Sequence, residues 1–527
     1  MSSNKQINNL LNTNKLFHEW VSTTNLKNFF SDNICFENFS LWWITRIIDK
    51  DNVNVKENRW YYDLNSVLAK KKNKIREFSW SIFFIKLIKN FFKNILWISY
   101  FKVMNLFLGK NIDKNKYDNC FHSFDIQINK YNDSNIDKIY GYAPFKIKKK
   151  KNFFLISSRT KKFKIFVDKL INDHYVVNSY LSYSSFFKIY FVVFVNLFKT
   201  LKYMKLNNGL FIIKKINCTK VLKPLLINSF CGSIQDSLIQ ALSIQSFLKR
   251  NKIKKLICYG EFNPGFRSVY YFAKKINYPI KIVAIQHGYA NENLLFFSHK
   301  KKDFDIKKKQ GRLCSPMPDQ YLVKGDQFKK ILKKYYPKRI HVIGCLKNDM
   351  INFKKKYSSK NFKQNNKKKI LVAPSIGDEE TILMYLKEFA LKNQKLLQEF
   401  DFYLSPHPGN KQKTIKLFKR KLSEIKFSLT KESSFVKMQS CDLVICNLSN
   451  IAYEATIMGV PAIRVADTTK PLLFHLKDNI KKIYDNRSFA KELKKKKFFL
   501  ADRKRIIEYF FYKLDNDAYK RFWKALN

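Results

Sequence analysis

Three polar clusters, each directly after an apolar run, carry the side chains that could do chemistry. In KIVAIQHGYANEN (281–293) the run Ile282 to Ile285 gives way to Gln286, His287 and Gly288. An imidazole with its ordinary pKa of about 6.5 can take a proton from an acceptor hydroxyl at neutral pH. The adjoining glycine would allow a positive φ or close approach of a ligand. One run earlier, LICYG (256–260) is followed by Glu261, Asn263, Pro264 and Gly265. A carboxylate there would orient the imidazole or serve as the base itself. Taken alone, His287 also reads as a plain turn residue.

The second cluster is YLSPHPGN, with His407 between Pro406 and Pro408. Fixed proline backbone holds the ring outward, where its N–H can donate to a phosphate oxygen. The third is CNLSNIAYEATIMGVPAIRV (446–465), in which a run ending at Cys446 leads to Ser449 and Asn450 at the start of a helical pattern. Free N–H groups at such a start, with the Ser449 hydroxyl, suit a diphosphate. Glu454, about one turn further on, is placed for a ribose hydroxyl. The bland readings are a stiffened turn and an ordinary helix cap.

The elements that must position these residues alternate. From about residue 216, short apolar runs and longer helical patterns follow one another, as in a parallel sheet with crossover helices. Strands are expected at 256–260, 281–286, 320–325 and 339–344, with helices over 232–250 and 265–277 and one capped by Asp326. A Lys- and Asn-rich stretch, 351–369, reads as a linker. Strands then resume at 370–375, 400–405, 426–430, 441–446 and 461–465, with Gly377 giving a turn and Asp378 capping a helix. The organisation expected is an N-terminal part (1–215) with membrane-facing helical segments that completes the first Rossmann unit or adds to it. A first Rossmann-like domain (216–350), the linker, a second Rossmann-like domain (370–500) and a C-terminal helix (501–527) follow.

Composition narrows the function classes. Lys plus Arg number 101 against 41 Asp plus Glu, a net charge of +60, which favours anionic partners. Lys, Asn, Ile, Phe and Tyr are over-used together, as AT-rich coding produces, and the lysines form no single stripe. No zinc-finger spacing, basic zipper or ribonucleoprotein motif is present, so no nucleic acid is expected as a partner. The nine cysteines fall in no C-x-x-C pair and read as reduced thiols in the cytoplasm. The start, MSSNKQINNLLNTNK, is polar throughout and reads as no signal peptide.

Two segments read toward a membrane. Trp80 to Met104 is rich in Phe, Ile and Trp but interrupted by Lys86, Lys89, Lys93 and Lys102, the pattern of a basic amphipathic helix lying in an interface. Tyr175 to Phe198 carries one charge, Lys188, and whether it enters the bilayer is open at this level. DFD (303–305) and DND (515–517) mimic a metal-binding D-x-D, but neither follows an apolar strand, so no metal is expected.

The order and spacing of Gln286-His287-Gly288, His407-Pro408, and Ser449 through Glu454-Ala455 to Gly459 and Pro461 resemble those of GT-B glycosyltransferases that build bacterial surface polysaccharides. Capsule Kdo-transferase-like and bacterial sialyltransferase-like enzymes, and the CDP-glycerol glycerophosphotransferases, are the groups meant. GCLKND (344–349) is similar to their G-x-x-R-x-D handover between domains, with Lys347 for the arginine. The resemblance covers roughly 220–470, and SLWW (40–43) extends it. It implies an α/β fold of GT-B type: two Rossmann-type parallel-sheet domains facing a cleft, here with an aromatic-rich N-terminal extension.

It also implies a metal-independent glycosyltransferase with a nucleotide-sugar as donor substrate and no cofactor. His407, Pro408, Ser449 and Asn450 would lie on the donor phosphates, Glu454 near ribose, and Ser375 and Gly377 in the first loop over the diphosphate. His287 or Glu261 would be the base, with Gln286 and Gly288 on the acceptor side. The partners implied are a glycan or lipid-linked glycan acceptor and an anionic membrane surface, the enzyme being cytoplasmic and peripheral on the inner face of the membrane. Asn450 stands where the pattern has a second Ser or Thr, and Gly260, not an acid, precedes Glu261. A polyol-phosphate transferase using a CDP-polyol, a GT-B-shaped sugar epimerase, and a non-catalytic membrane-associated protein of this shape are the alternatives.

Overall fold

A computed structural model describes residues 2–48, 59–70, 75, 77–107, 118–124, 128–131, 134–137, 139–141, 143–144, 152–157, 174–259, 263–288, 300–350, 367–407, 410–430, 432–466 and 478–527. Thirteen strands in two sheets frame the molecule. The first sheet contains β1 (Asn119–Phe124), β2 (Asn152–Ser157), β3 (His174–Val176), β4 (Lys255–Cys258), β5 (Lys281–Ile285), β6 (Gln320–Val323) and β7 (Arg339–Val342). The second contains β8 (Lys368–Val372), β9 (Phe400–Leu404), β10 (Phe427–Leu429), β11 (Leu443–Cys446), β12 (Ala462–Val465) and β13 (Lys481–Ile483).

Every pairing in both sheets is parallel. That is why the central strands read as unbroken apolar runs: Ile282 to Ile285 and Leu443 to Cys446 are buried on both faces. The spatial order is β7-β6-β5-β4-β1-β2-β3 in the first sheet and β10-β9-β8-β11-β12-β13 in the second. Numbered within each unit, the second order is 3-2-1-4-5-6, and the first is the same order with a seventh strand added. Each sheet therefore reverses direction once, between β1 and β4 and between β8 and β11. In open α/β sheets the crevice beyond the carboxyl ends at that reversal is where ligands sit. The fold is α/β with two Rossmann-type units, the GT-B-like class expected.

The first sheet draws three strands from upstream of residue 216. Several local expectations are corrected. Asp326 does not cap its helix: Gly325 is the N-cap and Asp326 the first helical residue. The stretch read as linker ends earlier, since β8 begins at Lys368; residues 351–366 lie outside the described residues. Tyr175 to Phe198 is not one element, because β3 and a 3₁₀ turn (Val177–Tyr180) precede a helix at Tyr183–Leu206. The C-terminal part is two helical pieces, Arg503–Phe511 and Ala518–Leu526.

Those two pieces tie the domains together. Phe510 and Phe511 pack into the core of the second unit, and Tyr453 lies 4.3 Å from the Phe510 ring. Phe522, Trp523 and Leu526 pack under the first sheet beside Phe121 and Tyr140, and the Trp523 indole donates to the Ala143 carbonyl at 2.8 Å. Each such side chain buried stabilises by about 1.5–3 kcal/mol. The GCLKND stretch is the hinge between them. Gly344 takes φ +86, and Asp349 accepts from the Ala518 and Tyr519 N–H groups at 3.2 and 2.7 Å, capping the last helix.

Candidate active site

His287 follows β5 directly, and the loop that carries it is held by Gln286. The Gln286 side chain is buried; its Nε2 donates to the Gly288 carbonyl at 2.6 Å and its Oε1 accepts from the Lys324 N–H at 2.7 Å. Gln286 thus bridges the ends of β5 and β6 and has its amide committed to the backbone. Gly288 is not at positive φ, and a Cβ built there meets nothing within 4 Å. Of the two uses read for Gly288, the positive φ is not taken, and the open space at its Cα leaves room for close approach of a ligand.

Among the described residues, three groups stand near His287 and bear on its chemistry. Tyr259, at the end of β4, lies 5.4 Å away ring to ring. The Tyr259 hydroxyl accepts from the Phe124 N–H at 2.9 Å, so the ring is fixed to the reversal point of the first sheet. Lys324, just past β6, donates its ammonium to the His287 carbonyl at 2.7 Å. The third is His407 from the second domain. The His287 pKa is lowered to about 4, first by desolvation and then by the like charges of Lys324 and His407. The residue keeps an exposed face toward solvent, so the ring is hemmed in yet reachable. A neutral imidazole at pH 7 is the form that accepts a proton.

His407 lies near enough to His287 to contribute to lowering its pKa, so these two strand ends, one from each sheet, are neighbours. His407 is exposed, three residues beyond β9, and its carbonyl accepts from the Asn410 N–H at 3.0 Å. Glu261 and Pro408 lie outside the described residues, so the structure places neither.

The donor side is built around a carboxylate that the sequence reading assigned only as a helix cap. Asp378 makes no capping bond to its own helix. Its Oδ1 accepts from the Ser375 N–H at 2.7 Å and its Oδ2 from the Leu448 N–H at 3.1 Å. One buried side chain thereby joins the loop after β8 to the loop after β11, across the reversal point of the second sheet. Burial pushes its pKa up to about 7 against the pull of those two N–H groups. Beneath the second loop, the buried Arg464 of β12 donates to the Ser449 carbonyl at 3.2 Å and closely to that of Asn447. Arg464 is itself paired with the buried Asp478 at 3.7 Å.

These bonds limit what the loops offer a phosphate. The Ser375 N–H is used by Asp378 and the Gly377 N–H by Glu379 Oε2 at 2.9 Å. Gly377 sits at φ +93, as its turn requires. The helix after Ser449 runs only from Ile451 to Ile457, with Asn450 as N-cap, and the Ile451 N–H already donates to Ser449 Oγ at 3.3 Å. The expected supply of free N–H groups at that helix start is corrected to a smaller one. Glu454 Oε1 accepts from Lys347 Nζ at 2.7 Å, joining the hinge to this helix. Burial works against the Lys347 charge, but Glu454 outweighs it and raises its pKa.

The two D-x-D stretches have structural partners: Asp303 pairs with Lys27 at 2.7 Å and Asp515 with Arg521 at 2.7 Å. Among the described residues no three His, Cys, Asp or Glu side chains gather as a metal site needs. Lys324, Tyr259 and Arg464 were missed in the sequence. Lys324 ends an apolar strand next to that of His287, so the strand-end rule points to it. Arg464, a lone charge inside PAIRV, signals a buried partner.

No protein-family model matches the chain, and no curated protein does. Among solved structures, UDP-GlcNAc 2-epimerase from Neisseria meningitidis bound to UDP-GlcNAc is similar at 14% identity and TM-score 0.41, over 77% of this chain and 99% of that one. The Methanocaldococcus jannaschii UDP-GlcNAc 2-epimerase with UDP-GlcNAc and UDP gives 13% and 0.43 over 77% and 99%. The wall teichoic acid polymerase TagF gives 12% and 0.38 over 83% of this chain and 97% of that one. At TM-scores below 0.5 these likenesses carry no weight for the reaction, and the fold assignment stands on the sheet order of this chain.

Proposed function

We propose that the chain is a glycosyltransferase that uses a nucleotide-activated sugar to build a bacterial surface polysaccharide, without a metal. The observation that carries this reading is His287, with its pKa lowered, at a strand end of one Rossmann unit and within electrostatic reach of His407 at a strand end of the other. The acceptor hydroxyl would lie on the His287 side. Its oxygen attacks the anomeric carbon as the imidazole takes its proton, and the bond from that carbon to the nucleotide phosphate breaks. His407 and the Ser449 hydroxyl donate to the departing phosphate, where negative charge builds. The Ser375 hydroxyl completes that side, Asn450 adds an amide, and the second oxygen of Glu454 receives a ribose hydroxyl while Lys347 holds the first. Pro408 would stiffen the His407 loop, and Glu261 is the competing base.

The test is transfer from labelled nucleotide-sugars to lipid-extracted glycan acceptors. His287→Ala should abolish most turnover and leave donor affinity near normal. Unchanged turnover passes the role of base to Glu261, and Glu261→Gln then becomes the inactive variant. Phosphorus retained in the product would make the enzyme a polyol-phosphate transferase, with a CDP-polyol as donor. Conversion of the nucleotide-sugar without acceptor would make it an epimerase, and no turnover with any donor would leave a non-catalytic protein.

A further inference from the structure

Two long helices of the first domain, Trp80–Phe107 and Tyr183–Leu206, leave a shared apolar face uncovered. Fifteen of the 25 large hydrophobic side chains exposed among the described residues belong to them. They pack antiparallel: Phe91 meets Phe186 at 5.4 Å and Tyr190 at 5.0 Å, and the Tyr183 hydroxyl donates to Ser99 Oγ at 3.0 Å. Phe84, Ile88, Phe92 and Leu96 recur every four residues along the first helix, with Leu96 67% exposed. Phe187, Phe191, Phe194 and Phe198 form the matching row on the second, with Phe191 69% exposed. Between the rows runs a groove of about 320 Å³ lined almost wholly by apolar side chains. A face of this extent on a folded domain marks an interaction surface.

Charge identifies what covers it. Neither helix contains an Asp or Glu, and together they carry eight lysines. At 3.6 residues per turn, Lys86, Lys89 and Lys93 fall in an arc beside the first apolar row. Lys188, Lys199 and Lys202 fall beside the second, Lys205 ends it, and all seven side chains are exposed. An apolar row bordered by lysines is the arrangement that an anionic bilayer surface accepts, rings among the acyl chains and ammonium groups at the phosphates.

The packing also decides between lying on the bilayer and crossing it. Tyr183–Leu206 is the one helix among the described residues long and apolar enough to span. Its opposite face is already used: Phe186, Ile189, Val193 and Leu197 are at most 2% exposed in the domain core. Asn196 on that face donates to the Cys35 carbonyl at 3.0 Å. Asn90 and Asn94 of the first helix donate to the Tyr190 hydroxyl at 3.2 and 3.1 Å, and Asn94 also to Asp236 at 2.8 Å. A span would strip these contacts and place the asparagines and Asp236 against lipid.

We propose that the paired helices are a docking face for an anionic phospholipid bilayer, lying in the plane of the headgroups as one side of an intact domain. The inference holds whichever reaction the cleft performs. The test is co-sedimentation of the full chain with vesicles of phosphatidylcholine alone and with one-third phosphatidylglycerol, at low salt and at about 0.5 M, where screening is short-ranged. Wild type should pellet with the anionic vesicles at low salt and be released from them by alkaline carbonate.

Reversing Lys86, Lys89 and Lys93 to Glu should weaken anionic-vesicle binding roughly a hundred-fold, at about five-fold or more per lysine. Leu96→Asp with Phe191→Asp should weaken binding to both vesicle types at least ten-fold. Both sites are exposed, so an unchanged melting temperature shows that the fold survives. The proposal is overturned by absence of wild-type binding, by equal binding of either variant, or by retention in carbonate until detergent is added. A dimer that Phe191→Asp dissociates would overturn it too, since a second copy would then cover the face.

Discussion

Replacing Lys324 by Met removes the nearest cation from His287 and leaves a side chain of similar length. The ammonium bonds the His287 carbonyl at 2.7 Å, and at a separation on the order of 6 Å two unit charges act with about 0.7 kcal/mol in water and about 3 kcal/mol at an effective dielectric of 20. At about 1.4 kcal/mol per pKa unit this is a rise of about 0.5–2 units, and the exposed face of the ring favours the lower end. Burial is the larger cause of the shift, so the midpoint in Lys324→Met should rise from about 4 yet stay below that of a free histidine. The assay is an NMR titration of labelled histidine rings, with the one signal among eight assigned by its loss in His287→Gln. In the wild type that ring should remain neutral through pH 5.5. An ordinary midpoint near 6.5 in the wild type, or no movement in Lys324→Met, would refute the electrostatic reasoning.

Other outcomes follow from the donor side. Asp378→Asn offers one acceptor to two N–H groups, so it should loosen the loops after β8 and β11, at a cost of about 1–3 kcal/mol read by thermal unfolding, and weaken nucleotide binding. The folded Asp378 pKa of about 7 lies above the unfolded one, so its contribution is fully present below about pH 4 and is lost as pH rises through 7. The stability difference between wild type and Asp378→Asn should therefore shrink between about pH 4 and 7 and level off above. A Lys347→Ala, Glu454→Ala double-mutant cycle should give a coupling of about 0.5–1 kcal/mol, as suits a partly exposed pair, and Lys347→Arg should keep most of it. Zero coupling would mean that the hinge contact is incidental.

The strands of the second unit were legible because parallel strands buried on both faces spell continuous apolar runs, and LVIC and KILV carry no competing signal. The strand-end rule then located His287, His407 and Ser449. The upstream strands of the first sheet were not legible. NCFHSF interleaves Asn119, His122 and Ser123, all buried, and hydrogen bonds in this strand run to residues far away in sequence, such as Asn152 for Asn119 at 2.9 Å and Tyr259 for Ser123 at 3.2 Å. Asp378 was misread for a similar reason. A residue before a helix reads locally as a cap, whereas its second partner, Leu448, stands 70 residues on. Gln286 was read as an acceptor-side residue; its bonds go to the backbone, so it positions the loop of His287.

Nucleotide binding measured by thermal shift tests the central claim most directly. CMP, UMP, UDP, GDP and ADP would each be added to wild type, His407→Ala and Ser449→Ala. A ligand at one hundred times its Kd stabilises by about 2.7 kcal/mol, so at least one nucleotide should raise the wild-type Tm, and both substitutions should diminish that rise. A wild-type Tm that no nucleotide moves, or a rise that both variants keep in full, would contradict a donor site at the strand ends of the second domain.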